Sequence, residues 1–123
     1  MVDITDNIVD NTTGVVNTGG GGIRAGDGTP RILGNRIFGN YGAYGGAIVL
    51  NYPHRAIVRN NIVLNSAGSN IASHDHQDAV VGNLTIVHNT LISEYGRTGI
   101  NISAPAGGVL SGPVVLANNA MYT

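Results

Sequence analysis

The 123-residue chain reads as one all-β domain spanning residues 1–123, a right-handed single-stranded parallel β-helix (solenoid) of about four to five coils with an asparagine ladder at one corner. Three observations predict this. A short motif with an Asn at a fixed position recurs along the chain, each period holds three short β-like runs, and no segment spaces its apolar residues at the 3.6-residue helical period.

The first motif occurs in four segments that align without gaps: Ile32 to Asn40, Ile57 to Asn65, Ile86 to Glu94 and Val115 to Thr123. Each carries an aliphatic residue three positions before Asn35, Asn60, Asn89 or Asn118. A degraded copy, Ile4 to Asn11, places Asn7 at the start, so successive Asn spacings are 28, 25, 29 and 29. A second run follows in each period: Gly22 to Gly26, Ala47 to Asn51, Asn70 to His74 and Gly99 to Ser103.

Three strands per period suit a solenoid in which each strand pairs with its equivalent one coil later, about 4.8 Å away. The corner needs a residue that tolerates positive φ, and Asn does so best among non-glycine residues. Stacked Asn side chains can also hydrogen-bond along the stack. The predicted ladder is Asn35, Asn60, Asn89 and Asn118. The competing architecture is a β-sandwich with Asn in hairpin turns, which gives no reason for one shared register across four copies.

Alternation then assigns faces. If the residues three before and two after each corner Asn point inward, Leu33, Val58, Val87 and Leu116 point outward, as do Phe38, Val63, Ile92 and Met121. Two apolar outward rows mark a contact surface. A stack without caps also presents open strand edges, which template pairing with another chain. Both features predict a homo-oligomer, packed end to end or side by side, or else a piece cut from a longer β-helix.

Composition narrows the partners. Net charge is −1, with six Arg and no Lys, so no basic face is available for nucleic acid. Charged residues form 11% of the chain, well under the roughly 25% of ordinary domains. Recurrent Ile, Val and Leu supply a core that a disordered chain lacks. There is no cysteine, hence no disulfide or thiol chemistry. No run of about 18 apolar residues predicts a membrane span, and the first residues do not form a secretory signal peptide.

The Ile-x-x-Asn-x-Ile pattern followed by Gly-Ile resembles the repeat of the pectate-lyase-like superfamily of right-handed parallel β-helices, of which this chain looks like a short or truncated member. The resemblance implies a first sheet from Gly22–Ala25, Ala47–Asn51, Asn70–His74 and Gly99–Ser103. It implies a second from Pro30–Gly34, Ala56–Arg59, Leu84–His88 and Pro113–Ala117, and a third from the runs after each corner Asn. It favours an extracellular or cell-surface setting, with sugars bound along the first sheet. Enzymes of this kind usually have more coils and a capping helix, neither of which is evident here.

Candidate chemistry follows from that placement. Arg24, Asn51, Tyr52, His74 and Asn101 are the candidate substrate-binding residues. His74, His54, Tyr52, Arg24 and Arg55 are candidate catalytic residues for a lyase or epimerase, which needs a base, an acid and a cation opposite a uronate carboxylate. His74, His76 and Asp78 offer two imidazoles and a carboxylate to a divalent metal ion, the one cofactor the sequence suggests. The bland reading of this polar loop is solvated histidine. The first sheet lacks the converging carboxylates of a calcium-assisted lyase or a hydrolase. The expected function is therefore a noncatalytic, self-associating β-helix module with polysaccharide as a candidate ligand. The alternatives are a polysaccharide lyase or epimerase, or a fragment of one, and a metal-binding β-helix.

Overall fold

Short Ile-, Val- and Leu-rich runs broken by Gly, Asn and Ser are too brief for helices and form strands instead. The computed structural model describes residues 1–10, 21–42, 45–53, 55–64, 66, 68–74, 82–93, 98–103 and 112–122, with the side chains of Asp27, Tyr52, Pro53 and His74 outside that description. Among the described residues every regular element is a strand. In chain order they are β1 (Val2–Thr5), β2 (Ile8–Asp10) and β3 (Ile23–Gly28); then β4 (Pro30–Leu33), β5 (Arg36–Phe38) and β6 (Ile48–Pro53). The third and fourth periods give β7 (Ala56–Arg59), β8 (Ile62–Leu64), β9 (Ile71–His74), β10 (Leu84–Val87), β11 (Thr90–Ile92) and β12 (Ile100–Ile102), and β13 (Val114–Ala117) and β14 (Ala120–Tyr122) follow.

Each strand pairs with its equivalent in the neighbouring period, and the strands sort into three sheets: β1-β4-β7-β10-β13, β2-β5-β8-β11-β14 and β3-β6-β9-β12. All of these pairings are parallel. A sandwich built from hairpins would pair sequential strands antiparallel. The arrangement is instead consistent with a parallel β-helix. The degraded first copy takes full part, since β1 and β2 pair with β4 and β5.

The core lies between the sheets. Ile32, Val58 and Ile86 form one fully buried column, Ile37, Val63 and Leu91 a second, and Ile23, Ile48 and Ile71 a third. Burying one such side chain contributes about 1.5–3 kcal/mol, which offsets the entropy of ordering a chain rich in glycine.

The asparagine column is real but runs through partly different residues from those expected. Its members are Asn7, Asn35, Asn61, Asn89 and Asn119, joined side chain to side chain at 2.9–3.1 Å. Asn60 and Asn118 instead precede the ladder residues and hold left-handed φ of 57° and 53°. Asp6, Gly34 and His88 occupy the same place in the other periods, with φ of 54°, 68° and 57°. The corner thus divides its work. One residue makes the left-handed turn, and the turn aims the next side chain inward, where its amide meets the backbone of the adjacent coil.

This division also corrects the expected faces in the second and fourth copies. A one-residue slip turns every side chain to the opposite face of a strand. Val58 and Val63, expected outside, are wholly buried, and Leu116 and Met121 belong to the same inward columns. Ile57, Ile62 and Val115, expected inside, face out. Leu33, Val87, Phe38 and Ile92 are outward and half-buried, as expected. The outward row after the corner remains apolar in its true register, Phe38–Leu64–Ile92–Tyr122.

The left-handed column gives a direct test. His88 is exposed and carries a Cβ at φ 57°, a conformation that costs L-residues roughly 1–2 kcal/mol. His88→Gly removes that strain and gives back part of it as chain entropy. It should raise stability by about 0.5–1 kcal/mol in urea unfolding, and His88→Val should lower it. Equal stability of the two variants would contradict this backbone geometry.

Candidate functional site

The outer face of β3-β6-β9-β12 is where the sequence places ligand chemistry, and its registers are fixed by backbone pairing. Arg24, Val49, Ala72 and Asn101 form one row. Gly26, Asn51 and His74 form the next. Alternation sets Ile23, Ile48 and Ile71 inward, and they are buried.

Two candidate residues meet here. With its amide oxygen turned toward Arg24, Asn51 accepts from both Nε and Nη2 at 2.7 Å. Asn51 is only 5% exposed, whereas Arg24 lies on the surface. The pair is charge-assisted, a type worth about 1.5–3 kcal/mol. It holds the guanidinium against the sheet with the Nη1 side still free of Asn51.

The rest of the face is less open than alternation implies. Val49 and Ala72 point away from the core yet have no solvent exposure. The backbone at Gly45 lies over them, so close that a Cβ there would press on Val49 Cγ2 and the Ala72 Cβ. The Gly45 backbone therefore lies between Arg24 on β3 and Asn101 on β12, three strand spacings or about 14 Å apart. Asn101 does not join the Arg24–Asn51 pair.

His74 belongs to β9 and registers beside Asn51. Its side chain and that of Tyr52 lie outside the described residues, as do His54, His76 and Asp78 entirely. Arg55 is exposed, and its N–H donates to the Gly28 carbonyl at 3.3 Å. Among the described residues no group of three or more His, Cys, Asp or Glu could hold a metal ion.

A set of buried polar residues escaped the sequence reading. Asn40, Ser66, Ser69, Asn70 and Ser93 are all nearly inaccessible, and Asn70 Nδ2 donates to Ser93 Oγ at 2.8 Å. Asn40, Ser66 and Ser93 each follow the strand after the corner within two residues, a recurrence hidden by loops of unequal length, and Ser69 and Asn70 precede β9.

At the far edge, the end of the stack is concave. Ile100, Leu116, Ala117, Asn118, Asn119 and Met121 line a hollow of about 280 Å³. Leu116 and Met121 sit in core columns yet are 51% and 59% exposed.

These features define an all-strand, solenoid-like protein of parallel sheets stacked along an asparagine column. Comparison with known family models, curated proteins and solved structures finds no match to this chain.

Proposed function

We propose that the chain is a noncatalytic, right-handed single-stranded parallel β-helix module that associates with further copies of itself through its outward apolar row. The handedness follows the rule that parallel strands joined by a crossover wind right-handed in nearly all cases. The observation that carries the reading is the outward row after the corner, Phe38–Leu64–Ile92–Tyr122, which is apolar in four successive strands. Size-exclusion chromatography with light scattering tests this: mean mass should rise with concentration, and an unchanging monomer mass up to millimolar protein refutes it.

The Arg24–Asn51 pair favours a second reading, a module that holds an acidic polysaccharide at the Arg24–Asn51 edge of the β3-β6-β9-β12 sheet. The likeness of the repeat to the pectate-lyase-like superfamily points to the same face. Arg24→Ala should weaken binding of a polyuronate by about tenfold, the equivalent of one charge-assisted contact. Unchanged affinity would remove Arg24 from the ligand path. Ultraviolet absorbance of unsaturated products during the same titration separates a binding module from the lyase alternative.

A further inference from the structure

The outer face of β2-β5-β8-β11 is apolar but for Thr90 and two opposite charges. Its first row is Ile8–Arg36–Ile62–Thr90 and its second is Asp10–Phe38–Leu64–Ile92. Between the rows Ile37, Val63 and Leu91 point into the core. Arg36, Asp10 and Ile62 are exposed, and Phe38, Leu64 and Ile92 are half-buried. Arg36 and Asp10 stand on adjacent strands but two residues out of register, about 8 Å apart at Cα. Among the described residues neither belongs to an ion pair. Asp3 and Arg31, which share a register on β1 and β4, do pair, at 3.2 Å.

We infer that this face packs on the same face of a second copy about a two-fold axis parallel to the stack, with Arg36 of each copy paired to Asp10 of the other. This rests on the self-association proposed above and fixes its symmetry. Such an axis keeps each strand at its own level and reverses its direction, so the first row of one copy lies over the second row of the other. Arg36 then faces the partner's Phe38, an aromatic surface that a guanidinium favours. The partner's Asp10 lies one strand spacing to the side. Packed sheets stand about 10 Å apart, a gap that an arginine and an aspartate side chain together span. Ile62 meets the partner's Leu64, and Thr90 the partner's Ile92. The contact is isologous, so the ion pair forms twice and assembly closes at a dimer. The other face-to-face arrangement, with its axis along the strands, lays like row on like row. It sets Arg36 against a row that holds no acid and buries both charges unpaired, which is costly. The face is narrow, so the total buried area stays below about 1,200 Å² and the dimer dissociates on dilution.

Charge exchange tests the symmetry. Arg36→Asp and Asp10→Arg should each weaken dimerisation at least about tenfold in sedimentation equilibrium, because each sets like charges together twice. Arg36→Asp combined with Asp10→Arg restores both pairs and should bring the constant back to within about threefold of the unaltered chain. Arg59→Asp makes the same change of charge on β7, in another sheet, and should leave dimerisation unaltered. Circular dichroism of each variant checks that the strands are kept. Single variants that dimerise as well as Arg59→Asp, or a double variant that does not recover, overturn the two-fold arrangement and leave self-association through the row standing. An unaltered chain that stays monomeric at every concentration overturns both.

Discussion

Asn61→Ala should cost about 3–5 kcal/mol of unfolding free energy, a large share of the 5–15 kcal/mol that holds a typical domain together. Asn61 is 1% exposed and sits mid-column. Its Oδ1 accepts from the Asn35 N–H and Nδ2 at 2.9 and 3.0 Å. Its Nδ2 donates to the Ile32 and Arg59 carbonyls at 2.9 and 3.1 Å, and to Asn89. Alanine strands the Asn35 N–H and the Ile32 carbonyl in a site water does not reach, at about 1–3 kcal/mol each. The control is the residue before it. Asn60→Ala loses only the left-handed tolerance of Asn, about 1 kcal/mol. Urea titration followed by circular dichroism measures both variants. A larger loss for Asn60→Ala than for Asn61→Ala would return the ladder to Asn60.

Val58→Asp should destabilise the chain by more than about 4 kcal/mol, enough to unfold it or nearly so. The side chain has no exposure and lies between Ile32 and Ile86 in the central column. A carboxylate there has no partner and must either ionise in apolar surroundings or take up a proton at a cost. The adjacent Ile57 is half-buried and faces out beside Arg31 and Thr85. Ile57→Thr keeps a β-branched side chain on an outer face and should change stability by less than about 1 kcal/mol. Thermal unfolding of the two variants reads the register directly. Tolerance of Val58→Asp with loss from Ile57→Thr would invert the faces of β7.

The repeat, the strand positions and the three-sheet division were legible in the chain because each rests on local pattern. Two-residue alternation, glycine breaks and a recurring Asn need no knowledge of distant contacts, and the expected strand spans differ from the observed ones by only a few residues at their ends. The corner register was legible where one Asn stands alone, at Asn35 and Asn89. It was not legible at Asn60–Asn61 and Asn118–Asn119, where either amide fits the motif. The neighbours give no help, since Ile57 and Val58, or Ile62 and Val63, are equally apolar. Asp6, Gly34 and His88 held a hint, marking the left-handed place ahead of the ladder.

Sequence alone thus determined a stacked architecture of parallel strands. Tertiary structure decided which Asn of each pair enters the ladder, because that choice depends on carbonyl and amide groups 26 to 30 residues away. It likewise decided that Arg24 is tied to Asn51 while Gly45 closes the floor over Val49 and Ala72. Both are contacts between coils, and a period read along the chain carries no measure of what an adjacent coil lays against it.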